Sequence, residues 1–167
     1  MAMKIGSRRV GAGAPVYVVA ELSANHHQQF DGAVRLVRAA REAGADAVKL
    51  QTYTADTITL DCRNEYFQIH GTLWDGKNLH DLYREAYTPW DWQPALKKEA
   101  EGLGLDLFSS PFDRSAVDFL ERMDVPAYKV ASLEIVDLPL IRYIARRGKP
   151  VLLSAGASTL DEIEEAV

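Results

Sequence analysis

The sequence predicts an α/β fold in which helices cover a parallel sheet. Three observations predict it: short apolar runs alternate with longer stretches of helical period, five such runs follow one another, and polar residues stand where each run ends. Alternation of this kind is typical of right-handed βαβ crossovers. With 167 residues, 47% of them hydrophobic, the chain is long enough for one compact domain.

The five short runs are the predicted strands. Each is mostly apolar and bounded by Gly, Pro or polar residues, which is the pattern of a strand buried on both faces. Their ranges are 16–20, 45–52, 105–109, 127–131 and 151–154.

Helical periodicity and capping residues predict the helices between these strands. Residues 31–44 and 116–123 place their apolar side chains on one face. Asp137 is the predicted N-cap of a helix that ends at Gly148, and the segment Thr159-Leu-Asp-Glu162 is a capping box that opens another.

The long gap between the second and third strands holds an insert, residues 53–88, rich in aromatic and polar residues. Connections of this length are usually functional, so we expect the insert to form part of the substrate mouth. The helix after it poses a conflict, because Thr88-Pro89 is a natural start but Pro94 would fall in the second turn. We therefore expect that helix to kink at Pro94 or to begin later.

Five strands do not complete a (β/α)₈ TIM barrel, which takes roughly 250 residues. The chain is therefore either an open doubly wound sheet or a truncated barrel. The helix that Thr159 opens has only begun when the sequence reaches Val167, which favours the barrel. We expect residues 1–167 to be the N-terminal portion of a TIM-barrel domain, truncated after about five strands.

Charge and cysteine content bound the function classes. The net charge of −5 gives no footprint for nucleic acid or for an anionic membrane surface. The sequence has no long apolar run and no signal peptide, and a single cysteine, Cys62, excludes an intrachain disulfide. A cytoplasmic protein is expected. Cys62 has no histidine nearby in sequence to activate it as a nucleophile.

Lysines and carboxylates occur where the predicted strands end, which is where parallel α/β proteins carry their chemistry. Lys49 and Lys129 occupy equivalent places in two strands. A lone strand lysine commonly reaches water from an edge, but this repetition favours binding of an anion. Glu21 and Glu134 either act in the chemistry or simply pair with the lysines.

Four serines follow the same strands, and each has two interpretations. They either cap local turns or join Lys129 in a phosphate cradle of hydroxyl donors and one compact cation; they are Ser109, Ser110, Ser132 and Ser154. The residues alone thus predict an enzyme that handles a small phosphorylated anion. Lys129 also permits a different chemistry, that of a Schiff-base aldolase.

Two further clusters favour structural roles. Adjacent residues such as His26-His27 do not readily face one metal ion, so we do not assign them as ligands. The aromatic residues of and near the insert are more often packing than a ligand cage; they are Tyr66, Trp74, Tyr83, Tyr87, Trp90 and Trp92.

At its motifs the sequence resembles the sialic acid synthase family. The resemblance is collinear over nearly the whole chain, and the insert is similar to the pseudaminic acid synthase branch. The motifs are Ala20-Glu-Leu-Ser-Ala-Asn-His26, Ala43-Gly-Ala-Asp-Ala-Val-Lys-Leu-Gln51, Ser109-Ser-Pro-Phe-Asp113 and Tyr128-Lys-Val-Ala-Ser132 with Glu134, and in the insert Asp56-Thr-Ile-Thr-Leu-Asp61, Leu73-Trp-Asp-Gly76 and Thr88-Pro-Trp-Asp-Trp92.

This resemblance implies a TIM barrel followed by a small antifreeze-like domain, absent here, in a domain-swapped homodimer. It implies condensation of phosphoenolpyruvate with the amino-sugar 2,4-diacetamido-2,4,6-trideoxy-altrose, giving pseudaminic acid and phosphate. A divalent metal, Mn²⁺ or Mg²⁺, would polarise the sugar aldehyde through ligands outside this chain. The alternatives are N-acetylneuraminate or legionaminate synthesis, or an inactive remnant.

Carried over to this sequence, the family pattern implies a role for each strand-end residue. Glu134 would lie near the reacting carbon, Glu21 and Asn25 would face the sugar, and Lys49 would neutralise the carboxylate end. Four residues would hold the phosphate of phosphoenolpyruvate: Ser110, Lys129, Ser132 and Ser154. Gln51 would contact the substrate. One departure is His27-Gln28, where the family often has Asn-Gly, which puts the turn geometry of that loop in doubt.

Overall fold

The computed structural model describes residues 3–167, which form a hairpin and a curled five-stranded parallel sheet. The sheet has the order β3-β4-β5-β6-β7, so the strands lie side by side in chain order, as in half of a barrel. The hairpin is β1 (Met3–Ile5) and β2 (Arg8–Val10), and the sheet strands are β3 (Val19–Glu21), β4 (Ala47–Thr52), β5 (Asp106–Pro111), β6 (Tyr128–Val130) and β7 (Val151–Leu153).

Helices follow the strands on the outer face, as the sequence predicted. Asp137 caps its helix by accepting from the backbone N–H of Leu140, and Thr159 and Glu162 form the predicted capping box. The helices are α1 (Phe30–Glu42), α2 (Ala55–Ile58), α3 (Leu79–Ala86), α4 (Gln93–Gly102), α5 (Arg114–Arg122), α6 (Leu138–Ala145) and α7 (Leu160–Ala166). None of the helices within residues 3–167 is long and apolar enough to cross a membrane.

The first sheet strand differs from the predicted range of 16–20. It begins at Val19 rather than Val16, whose side chain is 84% exposed. The backbone N–H of Val18 donates to the Asp46 carboxylate at 2.8 Å instead of to a neighbouring strand. Residues 16–18 therefore precede β3 as extended chain and are not part of the sheet.

The proline conflict resolves as a late helix start. A 3₁₀ turn over Trp90–Trp92 precedes α4, which begins at Gln93 and has Pro94 in its first turn. Pro94 then removes no intrahelical hydrogen bond, because the first N–H groups of a helix have no partner within it.

The N-terminal end of the sheet is closed by the hairpin. Ile5, 1% exposed, belongs to the same buried cluster as Ala47 and Phe108. Arg8 pairs with Asp46 at 2.6 Å and approaches Asp106 at 3.9 Å. The open, polar end of the curled sheet is consequently the opposite one, where the strands end.

Candidate functional site

Two lysines converge at the carboxyl ends of the strands. Lys49 on β4 is ion-paired with Glu21, its register partner on β3. Burial, and next the positive charge of Lys129, lower the pKa of Lys49 to about 8, while the Glu21 carboxylate works the other way by favouring the ammonium. Two cations that repel each other in a half-buried setting are suited to binding an anion between them.

Lys129 on β6 is joined to the end of β7. Its ammonium donates to the Val130 carbonyl at 2.5 Å and to the Ser154 hydroxyl. Burial lowers the pKa of Lys129, although the nearby Glu134 carboxylate opposes that shift. Of the serines predicted to form the phosphate cradle, Ser154 is therefore the one whose hydroxyl bonds Lys129 within residues 3–167.

Strand register places the next polar pair. Gln51 on β4 lies opposite Ser110 on β5, and because Ser109 is in register with Tyr128, Ser110 lies beside Lys129. Ser110 is 2% exposed. Its hydroxyl therefore stands at the inner wall of the curl, in reach of the face that Lys129 occupies.

Ser109 does not belong to the cradle, contrary to one sequence interpretation. Its hydroxyl bonds Thr52 at 2.6 Å, and Thr52 donates to Gln93 of α4 at 2.8 Å. Successive side chains of a strand point to opposite faces, so Ser110 faces the pocket and Ser109 the helix layer.

The turn after β6 carries Ser132 and Glu134. Both lie in the 3₁₀ segment Ser132–Val136 and are half-buried. Burial, reinforced by the charge of Asp137, raises the pKa of Glu134, whereas Lys129 opposes the shift. A carboxyl with a raised pKa beside a lysine is a candidate for proton transfer.

An aromatic rim stands above this polar floor. Tyr53 follows β4, Phe112 follows β5, and their rings meet edge to face at 5.5 Å. Tyr83, from α3 of the insert, meets Tyr53 in the same way at 5.5 Å. Burial and the negative charge of Glu134 raise the pKa of Tyr83.

Tyr53 and Phe112 were missed by the sequence reasoning, although a signal existed. Lys49, Gln51 and Tyr53 are spaced two apart, as are Ser110 and Phe112. The inward-facing alternation of each strand simply continues past its end.

The loop between β3 and α1 carries Asn25 and the histidines. The Asn25 amide donates to the Leu22 carbonyl at 3.1 Å, and the residue is exposed at the mouth. His26 Nδ1 accepts from the backbone N–H of Gln28, which leaves Nε2 to donate to Thr88, both at 3.1 Å. Burial lowers the pKa of His26. Both ring nitrogens are thus engaged within the protein.

Packing explains some of the aromatic residues and not others. The Trp90 indole donates to the Tyr53 carbonyl at 3.0 Å, and Trp92 contacts His26 and Phe30. Trp74 and Tyr66, however, are 49% and 81% exposed, so for these two the packing expectation is wrong. Tyr66 lies in the 3₁₀ turn Glu65–Phe67, and Trp74 lies in the loop between Gly71 and Gly76, both outside the buried clusters.

A metal ion is not accommodated by the described residues on their own. Within residues 3–167 no group of three or more His, Cys, Asp or Glu side chains is placed to hold one. The chemistry of this half of the pocket rests on its lysines, hydroxyls and carboxyls.

Known proteins resemble this chain in sequence and in fold. The sequence model of the NeuB family matches residues 36–167. The pseudaminic acid synthase of Helicobacter pylori is 48% identical over 92% of this chain, and that of a Campylobacter jejuni strain is 45% identical over 89%. The chain spans 45% and 43% of the lengths of these two relatives.

A solved structure supports the half-barrel. The crystal structure of N-acetylneuraminic acid synthetase from Leptospira borgpetersenii, in complex with citrate, superposes with a TM-score of 0.86 at 26% identity. The match covers 99% of this chain and 53% of that one. The five parallel strands and their helices therefore have the fold of a sialic acid synthase barrel over about half of its length.

Proposed function

Because this chain belongs to the NeuB family, we propose that the whole protein is a pseudaminic acid synthase and that this chain is the N-terminal portion of its barrel domain. The proposed reaction joins phosphoenolpyruvate to 2,4-diacetamido-2,4,6-trideoxy-altrose and releases inorganic phosphate by C–O cleavage. The observation that carries the proposal is the convergence of Lys49 and Lys129, half-buried, at the carboxyl ends of β4 and β6, the two strands that flank β5.

The lysines and hydroxyls would divide the two ends of phosphoenolpyruvate between them. Lys129 and Ser154 are already hydrogen-bonded, and Ser110 lies beside Lys129 in register, so this side suits the phosphate. Ser132, in the turn after β6, would complete the phosphate ligands. Lys49 would then face the carboxylate, and its ion pair with Glu21 would open as the substrate's own negative charge arrives.

Glu134 would act at the reacting carbon. Its raised pKa suits a group that holds a proton while the enol carbon attacks the sugar aldehyde, and once ionised its carboxylate would stabilise the positive charge that develops. Water then captures the resulting cationic carbon, and phosphate leaves. Glu21, Gln51 and Asn25 would orient the sugar from the β3–β4 side of the mouth.

The choice of sugar is the finer part of the proposal. Identity to two pseudaminic acid synthases is 48% and 45%, against 26% to a neuraminic acid synthetase of solved structure. Phosphate release should be assayed with the whole protein, phosphoenolpyruvate and, in turn, the amino-sugar precursors of pseudaminate, N-acetylneuraminate and legionaminate. Preference for the precursor of N-acetylneuraminate or of legionaminate would replace the altrose assignment.

Metal dependence and assembly are proposed for the whole protein. Mn²⁺ or Mg²⁺ would polarise the sugar aldehyde, with ligands from outside this chain, and a small antifreeze-like domain would be exchanged in a homodimer. We expect the 167-residue chain alone to release no phosphate when metal and both substrates are supplied. Robust turnover by the isolated chain would contradict this division of the site.

A Schiff-base aldolase is the second candidate, favoured by the lowered pKa of Lys129. Borohydride reduction in the presence of substrate separates the two chemistries. A covalent adduct trapped on Lys129 would support the aldolase and overturn the phosphate-binding role; we expect no adduct.

A further inference from the structure

Two consecutive residues of the β3–α1 loop adopt left-handed backbone conformations. His27 and Gln28 have φ angles of +50° and +54°. This region is strained for a residue with a side chain, whereas glycine adopts it without that strain. A non-glycine residue held there by its surroundings is a sign of a second role.

The side chain of Gln28 supplies such a role. Its amide nitrogen donates to two backbone carbonyls of the insert, that of Glu85 at 2.9 Å and that of Tyr87 at 2.5 Å. These carbonyls lie at the end of α3, where helix carbonyls lack partners within the helix. One carboxamide thus uses both of its N–H donors to bind the C-terminus of α3.

The same loop binds the insert a second time. His26 bonds Thr88 through Nε2, and its Nδ1 accepts from the Gln28 backbone. At its other end α3 is capped by Asn78, and His80 is tied to Asp56 of α2 at 2.9 Å. Helix α3 is consequently held at both ends.

Between these two anchors lies Tyr83, the insert residue whose ring meets that of Tyr53 edge to face at 5.5 Å. The loop that carries Asn25 is therefore connected to the rim of the pocket through Gln28. We propose that Gln28 is a positioning residue for the sugar half of the site: its carboxamide fixes the end of α3 and so holds Tyr83 against Tyr53 at the rim of the pocket. This inference rests on the proposed sugar-condensing function.

Loss of this link should affect the two substrates unequally. The rim borders the side of the pocket assigned to the sugar, whereas the Lys129–Ser154 pair lies on strands that Gln28 does not touch. Without the carboxamide, both hydrogen bonds that hold the end of α3 to the loop are lost. We expect the KM for the amino-sugar to rise about tenfold and the KM for phosphoenolpyruvate to change less than twofold.

Gln28→Gly in the whole protein separates positioning from turn formation. Glycine relieves the backbone strain while removing the carboxamide, so a residue that only shapes the turn would leave both KM values within twofold of wild type. The positioning role predicts the tenfold rise in sugar KM without a fall in Tm. Gln28→Glu, which keeps the shape but loses the donors, should behave like Gln28→Gly.

The matched control is Gln29→Glu. Gln29 is the adjacent exposed residue and makes no side-chain hydrogen bond to the helix it precedes. The Gln29→Glu substitution adds the same negative charge as Gln28→Glu without changing a contact to α3. Both KM values should therefore stay within twofold of wild type. An equal effect at both positions would assign the result to charge and overturn the inference.

Hydrogen exchange tests the contact independently of activity. Amides at the end of α3 (residues 82–86) should exchange about tenfold faster in Gln28→Gly than in wild type, because opening no longer breaks the two side-chain bonds. Unchanged exchange together with an unchanged sugar KM would refute the role of Gln28. A wild-type protein that condenses none of the sugars would instead refute the proposed function, and the exchange rates would still decide whether Gln28 holds α3.

Discussion

At the N-terminal end of the parallel strands Arg8 pairs with carboxylates and Ile5 fills the space inside the curl, whereas at the carboxyl end burial and the positive charge of Lys129 lower the pKa of Lys49. The first end satisfies its charges within the protein. The second pairs Lys49 with Glu21 but still leaves two lysines half-buried and near each other, an unfavourable arrangement that a bound anion would relieve. Stability and function are thus assigned to opposite ends of the same strands.

The largest expected effect is at the carboxyl end. Lys129→Met removes the cation of the phosphate side but keeps its bulk, and kcat/KM for phosphoenolpyruvate in the whole protein should fall about 1,000-fold. The free energy of unfolding should not fall, because an ammonium that burial disfavours is replaced by an apolar group. Steady-state kinetics and urea denaturation measure the two quantities.

The control for that variant is Lys149→Met. Lys149 pairs with Asp124 at 2.9 Å on the outside of the molecule, and kcat/KM should remain within twofold. If Lys129→Met lowered the free energy of unfolding by as much as it raised the activation free energy derived from kcat/KM, the separation of the two ends would be contradicted.

The N-terminal end should respond in the opposite sense. Ile5→Ala opens a cavity beside Phe108 and should lower the free energy of unfolding by about 3 kcal/mol, with kcat/KM of the folded protein unchanged. Met3→Ala, at a 39% exposed position of the same hairpin, should cost less than about 1 kcal/mol in the same urea titration. Similar losses in both variants would show that the hairpin does not fill the sheet interior.

The smallest expected effect is the pH dependence of activity that Lys49 gives the carboxyl end. Because the pKa of Lys49 is lowered to about 8, raising the pH from 7 to 9 deprotonates it, and kcat/KM for phosphoenolpyruvate should fall about tenfold. Lys49→Arg, which stays charged, should flatten this limb of the profile. A wild-type profile that stays flat to pH 9 would place the pKa of Lys49 nearer its ordinary value.

Much of the fold was predictable because its signals are local. Asp137, Thr159 and Glu162 cap helices through backbone groups three residues away, and their sequence spacing is sufficient to identify them. Apolar runs likewise identified all five sheet strands. The first was placed three residues early because its boundary depends on Asp46, a residue distant in sequence.

The site was predictable in composition but not in orientation. The sequence identified two serines at the end of β5, yet strand register decides that Ser110 faces the pocket while Ser109 bonds Thr52 behind the sheet. The sequence marked His27-Gln28 as a departure, but it did not predict the contacts of Gln28, because its partners lie nearly sixty positions along the chain. Contacts of this kind follow from the tertiary arrangement alone.

The pairing of β4 with β5 bears on how the chain reaches its fold. These strands share six paired positions, from Ala47 with Asp106 to Thr52 with Pro111, the longest ladder in the sheet, and the insert lies between them. Pairing strands that are roughly sixty residues apart must first bear the entropy of closing that loop, and such non-local contacts slow folding. Refolding should therefore be slow and prone to misassembly until the insert has found its place. Halving the whole connection between these strands would recover only about 0.6 kcal/mol of that entropy, so the insert costs the chain more in folding time than in equilibrium stability.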